Sequence, residues 1–267
     1  MKTRTIEIWE VMWVVLVISI LLSEVAFSRS AAEWGSGALQ DDQRTFPRVR
    51  NARMNHAETI DSIFSAEVLE YPSPIYLRIF KYERVIELWA YSSTESSYVF
   101  LKPYPFTGFC GHLGPKRKQG DLQIPEGFYS IILFNPASNF HLSMKINYPN
   151  RSDRILGNPD RPGNEIFIHG SNVTIGCIPI GDNAIEELYI IALDSKSAGY
   201  DIPVHIFPCN FIDSSCAEIR RRYSERDTTI SNFWNALKAG YDIFDTTCIP
   251  PIFSIDENGN YSFTDTN

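Results

Sequence analysis

The runs Ile75-Tyr76-Leu77-Arg78-Ile79-Phe80-Lys81 and Val85-Ile86-Glu87-Leu88-Trp89-Ala90-Tyr91, parted by Tyr82-Glu83-Arg84, decide the fold class. Both are rich in β-branched and aromatic side chains, which suit a pleated, half-buried surface. The short polar break between them reads as a turn. Tyr98 to Lys102 continues the meander, and Pro103, Pro105, Gly108, Gly111, Gly114 and Pro115 then punctuate a loop-rich stretch. Further strands are predicted over Gly127–Phe134, Asn164–Ile168 and Ile202–Phe207. Asn258-Gly259, between Phe253–Ile255 and Tyr261–Phe263, is a hairpin signal.

Helical signals are fewer. Ile60, Ile63, Phe64 and Val68 share one face of a short helix over Glu58–Leu69. Asp182 can cap a helix that buries Ile185, Leu188, Tyr189 and Ala192. Phe233, Trp234, Leu237 and Tyr241 mark a later one, read as core packing. Residues 29–56 are polar and read as a mobile linker. Many short strands and few helices predict a mainly β chain, a sandwich or barrel with peripheral helices.

The 267 residues suit one catalytic domain with extensions or two small domains. A net charge of −8 argues against nucleic acid as the main partner. Lys116, Arg117 and Lys118 form one short basic cluster, read as a solvated turn rather than a phosphate site. Lys2 and Arg4 precede an apolar run from Val11 to Leu22, with the small residues Ala26 and Ser28 beyond it. That run fits the core of an export signal over residues 1–28 and is short for a membrane span of about 20 residues. An uncleaved anchor is the alternative, since Glu7 and Glu10 weaken the signal pattern. Either reading puts the body of the protein outside the cytoplasm.

Cysteine usage agrees with export, because thiols outside the cytoplasm tend to pair. If Cys177 stays free to react, Cys110, Cys209, Cys216 and Cys248 allow two disulfides in three connectivities. At least one is expected to staple the carboxyl-terminal segment. No C-x-x-C pair exists and the histidines are scattered, so neither a metal nor a cofactor is expected.

The segment Ile168-His169-Gly170-Ser171-Asn172-Val173-Thr174-Ile175-Gly176-Cys177 carries the chemistry. A thiol attacks a carbonyl well only as a thiolate, so it needs a base, and His169 is near in sequence. Glycine lets the backbone approach a substrate closely. The reading is a cysteine acyl-transfer site, with Cys177 as nucleophile and His169 as general base and acid. Gly176 and Cys177 N–H groups are the expected oxyanion donors. Thr174 either bonds substrate or holds the turn. Ser171, His141 and Tyr148 are further substrate-binding candidates. His205, in an apolar strand, reads as structural.

His169-Gly170 followed by Thr174-x-Gly176-Cys177 resembles the YkuD-type L,D-transpeptidases of bacterial cell walls. Flanking blocks resemble its YafK-like branch: Gly111-His112-Leu113-Gly114-Pro115-Lys116, Gly120-Asp121, Pro125-Glu126-Gly127-Phe128-Tyr129 and Asn135-Pro136. So do Tyr148-Pro149-Asn150, Asp153, Val204-His205-Ile206-Phe207-Pro208 and Phe233-Trp234 through Gly240-Tyr241. His-Gly…Gly-Cys alone is weak, but with its flanks in order it is specific.

The resemblance covers roughly residues 70–265 and implies a YkuD-like β fold. It implies a linker and short helix over 29–70, a catalytic domain over 71–208, and a helix and hairpin extension over 209–267 packed on it. It also implies that the Gly170 carbonyl orients His169, and that the substrates are peptidoglycan stem peptides containing diaminopimelate. A wall-linked lipoprotein is a further implied partner, and the place of action is the periplasm or cell envelope. Transpeptidation, hydrolytic release of a protein or peptide joined to diaminopimelate, and an inactive wall-binding module remain as alternatives. Two departures stand out: Thr174 replaces the usual serine, and Pro179 replaces an arginine two positions after the cysteine. Matches to glycosylation sequons at Asn150 and Asn172 are chance in such a protein.

Overall fold

A computed structural model describes residues 38–264. The export-signal segment, residues 1–28, lies outside the described residues. Among them no helix is long and apolar enough to cross a membrane.

The chain enters through helices α1 (Ala38–Arg44) and α2 (Pro47–Ala66). The meander follows as β1 (Ile75–Phe80), β2 (Val85–Ser92) and β3 (Ser97–Pro105). After a long loop come β4 (Gly127–Asn135), β5 (Ser143–Ile146) and the short helix α3 (Arg151–Leu156). Strands β6 (Ile166–His169) and β7 (Ile178–Pro179) flank the motif, and α4 (Asp182–Ser197) and β8 (Pro203–Phe207) follow. Helices α5 (Ser214–Ser224) and α6 (Thr228–Thr247) and the hairpin β9 (Ile252–Ile255)–β10 (Tyr261–Thr264) close the chain.

Eight strands form one mixed sheet in the order β3-β2-β1-β8-β4-β5-β6-β7. The mainly β expectation therefore holds in its essential point: one large sheet organises the molecule and helices lie around it. The sheet turns parallel where β8 returns beside β1 and where β7 lies beside β6. Every β1 residue is buried, as expected for a central strand covered on both faces. Ile75, Leu77 and Ile79 join the cluster under α2 and α4, whereas Phe80 joins the cluster under α6 and the terminal hairpin. α4 is buried almost all round, from Ile185 through Ser197, which marks it as the central helix of the first layer.

The mobile linker expected over residues 29–56 is corrected from Ala38 onward, because α1 and α2 occupy that stretch. Its polarity misleads, because much of it pairs with carboxylates of α4. Arg53 Nη1 and Tyr71 Oη donate to Asp194 Oδ2 at 2.8 and 2.6 Å, and Gln40 Nε2 donates to Asp194 Oδ1 at 2.7 Å. The helix expected from Glu58 starts eleven residues earlier, at Pro47, whose fixed φ suits a first helical position. α5 was not expected. Its apolar stripe is narrow, only Cys216, Ile219 and Tyr223 at i, i+3 and i+7, in an otherwise polar and basic sequence.

The expected carboxyl-terminal staple is present as Cys209–Cys216, while Cys110, Cys177 and Cys248 are free thiols. A second disulfide is not formed. His205 is structural as read: it is buried, and its Nδ1 meets the Tyr76 hydroxyl at 2.9 Å.

Candidate active site

Strands β6 and β7 place the motif at the edge of the sheet. They run parallel, with Ile168 opposite Ile178 and His169 opposite Pro179. Cys177 is the residue just before β7, and its thiol meets the backbone of Phe167, two residues before His169, so the thiol lies beside the strand that carries the imidazole.

The His169 ring is almost fully buried, and its Nδ1 meets the Gly170 carbonyl oxygen at 2.6 Å. A carbonyl only accepts, so Nδ1 carries the proton and the lone pair of Nε2 is left free. Burial lowers the His169 pKa below its ordinary value, against the opposing effect of the Gly170 bond. Burial pushes the Cys177 thiol up, and a hydrogen bond from the Phe167 backbone offsets this in part. At neutral pH the resting pair is therefore a neutral imidazole and a protonated thiol.

Thr174 holds the turn that presents the thiol. Its hydroxyl donates to the Cys177 carbonyl at 2.7 Å and accepts from the Gly176 N–H at 3.0 Å. This corrects the expectation that Gly176 N–H is an oxyanion donor: Thr174 already occupies it, leaving the Cys177 N–H of that pair. Gly176 sits at φ +137, and a Cβ there would stand 3.0 Å from the Gln123 carbonyl oxygen. Only glycine takes that conformation readily.

The remaining expected residues are placed as follows. Ser171 is pinned through its backbone: its N–H donates to Asp182 Oδ1 at 2.7 Å and its carbonyl accepts from Thr107 Oγ1 at 2.6 Å. Asp182 is thus no helix cap; Gly181 takes that position and the Asp182 carboxylate holds the motif loop. His141 lies beside Gly170, and its Nε2 is committed to Glu186 Oε1 at 2.6 Å. Tyr148 is buried and its hydroxyl donates to the Pro162 carbonyl at 2.7 Å, so its phenol is spent on structure.

The opposite wall, residues 110–126, holds what the motif could not announce. Lys81 and Glu126 are both fully buried, 2.9 Å apart. Lys81 Nζ also donates to the Gly114 and Ile124 carbonyls at 2.7 and 2.8 Å. Glu126 accepts from the Gly114 N–H at 2.8 Å and from Trp234 Nε1 at 2.7 Å. The basic cluster is not the solvated turn expected. Lys116 is buried against Asp121 at 2.5 Å, and Asp121 also accepts from the backbone N–H groups of Arg117, Lys118 and Gln123. Cys110 Sγ approaches Thr174 Oγ1 at 3.9 Å, which joins the two walls.

A further residue missed from the sequence is Phe140, whose ring lies over the His169 ring with centroids 4.7 Å apart. The mouth of the site is apolar: Val173 and Ile175 on the motif loop, Leu122 and Phe140 are exposed. Among the described residues no group of three potential metal ligands comes together.

No protein-family model matches the chain. It is 35% identical over 192 residues to "Putative L,D-transpeptidase YafK" of Escherichia coli strain K12, covering 71% of this chain and 73% of the relative. The figures are the same for the protein of that name in Escherichia coli O157:H7. Among solved structures it is similar to the helical cell shape determining protein Pgp2 of Campylobacter jejuni, with a TM-score of 0.41 at 16% identity over 74% of this chain and 80% of that one. Bd1075 of Bdellovibrio bacteriovorus gives a TM-score of 0.37 at 21% identity over 64% of this chain and 60% of that one.

Proposed function

This chain belongs to the L,D-transpeptidase family, in its YafK-like branch, and from that membership we propose an exported cysteine acyl-transfer enzyme. Its substrates in this reading are peptidoglycan stem peptides containing diaminopimelate, which places its work in the periplasm or cell envelope. The observation that carries the reading is that the Gly170 carbonyl takes His169 Nδ1 and leaves Nε2 as the acceptor, on the strand whose Phe167 backbone meets the Cys177 thiol.

In the proposed reaction His169 Nε2 takes the thiol proton as Cys177 Sγ attacks the carbonyl carbon beside the L-centre of diaminopimelate. The Cys177 N–H stabilises the oxyanion. The amide C–N bond then breaks, the imidazolium protonates the departing amine, and a thioester remains on Cys177. An acceptor amine that attacks this thioester completes a transpeptidation; water completes a hydrolysis.

The test is incubation of the purified protein with defined stem peptides and with a protein-linked wall fragment, with products read by mass spectrometry. Crosslinked stems are expected, together with a thioester adduct on Cys177. Release of the linked protein as a free amine, with the stem peptide ending in a diaminopimelate carboxylate, would replace the transfer with hydrolysis of the same thioester. No product and no adduct would leave a wall-binding module.

A further inference from the structure

The segment Ser138–Leu142 is the part of the molecule that touches both the base and the carbonyl that orients it. Gly170 N–H donates to the Leu142 carbonyl at 3.2 Å. A Cβ at Gly170 would lie 2.7 Å from the Phe140 carbonyl oxygen and 3.0 Å from His141 Cβ, so the two loops are packed backbone to backbone. Phe140 covers the His169 ring at 4.7 Å with the planes tilted by 37°. Yet Phe140 is itself 42% exposed, so contact with His169 alone does not hold it in place.

Two elements far away in sequence hold it. Arg48 on α2 donates through Nη1 to the Ser138 carbonyl at 2.7 Å and the His141 carbonyl at 2.5 Å, one on each side of Phe140. Glu186 on α4 takes His141 Nε2 at 2.6 Å with one oxygen. Its other oxygen accepts from Asn55 Nδ2 at 3.2 Å and lies 3.3 Å from His56 Nε2, both on α2. His141 stands at φ 71, a conformation uncommon for a residue with a side chain, and these bonds hold it there.

We propose that Phe140 is a positioning residue for His169, held over the imidazole by Arg48 and Glu186. The proposal rests on the reading of His169 as the base. Phe140 removes water from one face of the ring and so favours its neutral, proton-accepting form. Arg48 and Glu186 act through Phe140 and touch no reacting atom. α2 then becomes part of the positioning apparatus, because the order of the base depends on its docking.

The readout is the rate of Cys177 alkylation by iodoacetamide as a function of pH, which needs no knowledge of the natural substrate. The other titratable or charged groups on the elements packed here are Cys177, Asp182, which holds the Ser171 N–H, and the clamp's own His141, Glu186 and Arg48. Glu187 is turned to Lys102 and Tyr104 and is a bystander. Wild type is expected to show an acid limb that disappears in His169→Ala. In Phe140→Ala and Arg48→Gln this limb is expected to move up by about half to one pH unit, toward the ordinary histidine value of about 6.5. Phe140→Leu, which keeps an apolar cover, is expected to restore the wild-type limb. If Phe140→Ala and Arg48→Gln change the rate equally at every pH, or only lower the melting temperature, the proposal fails while the base reading stands. An acid limb that persists in His169→Ala would overturn the base reading, and the positioning role with it.

Discussion

The turn that presents Cys177 is closed by its neighbour in sequence Thr174, whereas the wall from Gly111 to Glu126, beyond its own bonds through Asp121, is anchored by side chains from distant segments. In the first, Thr174 bonds the Gly176 N–H and the Cys177 carbonyl, and Gly170 bonds the ring just before it. In the second, Lys81 comes from the end of β1 and Trp234 from α6, and they meet at Glu126. The two loops touch where Gly176 passes Gln123 and where Cys110 meets Thr174. One wall presents the reacting groups; the other fixes the space they react in. Local bonds leave a trace in sequence spacing, and long-range bonds do not.

Four substitutions or conditions would sharpen or break that contrast. The largest expected effect is at the local wall. Cys177→Ala should remove thioester formation, a loss of at least about 1,000-fold in turnover, as for other covalent nucleophiles, with no change in fold. Turnover near wild type would end the assignment of Cys177.

Next comes the distant wall. Glu126→Leu leaves Lys81 buried without its counter-charge, and should cost about 3–5 kcal/mol in urea denaturation. It should also lower thiol reactivity, because the loop that packs on Gly176 loosens. A variant that unfolds at the wild-type urea midpoint would show that the network does not hold this wall.

A smaller effect is expected at Thr174. Valine there orphans the buried Gly176 N–H, at a cost of about 1–3 kcal/mol, whereas serine keeps the hydroxyl and should behave as wild type. Equal behaviour of the two variants in product formation and melting would remove the brace from the account.

The mildest test changes only the proton concentration. The His169 pKa is lowered and the Cys177 pKa is raised, both chiefly by burial. Below the His169 value the imidazolium cannot take the thiol proton, so reactivity should fall. Above it reactivity should hold through neutral pH, and rise again only as the thiol itself ionises. A preformed thiolate–imidazolium pair would instead give a plateau reaching well into acid, and stopped-flow alkylation separates the two profiles.

Much of this was legible beforehand because the relevant physics is local. Strands β1, β2, β4 and β8 lie where β-branched and aromatic runs put them, and the Asn258-Gly259 hairpin forms as its turn residues direct. His169 and Cys177 share one short segment, so their pairing could be read as a motif. The helices α1 and α2 were misread because, among many exposed polar residues, Gln40 and Arg53 dock them on the buried Asp194 of α4 while Val49, Ala52 and Ile60 face the core. Polarity records that a side chain wants a partner, and does not say whether the partner is solvent or protein.

The sequence by itself determined the strands of the sheet, the family and the short segment that holds both His169 and Cys177, because alternation and spacing follow directly from backbone geometry. Tertiary structure decided the rest: that Gly176 N–H is spent on Thr174, that His141 Nε2 and the Tyr148 hydroxyl are bonded to Glu186 and Pro162, and that Lys116 is buried. It also decided that Phe140 covers the base and that α2 reaches across to hold it. Each of these depends on which groups meet after the chain has closed on itself, and a hydrogen-bonding group has no fixed partner until then.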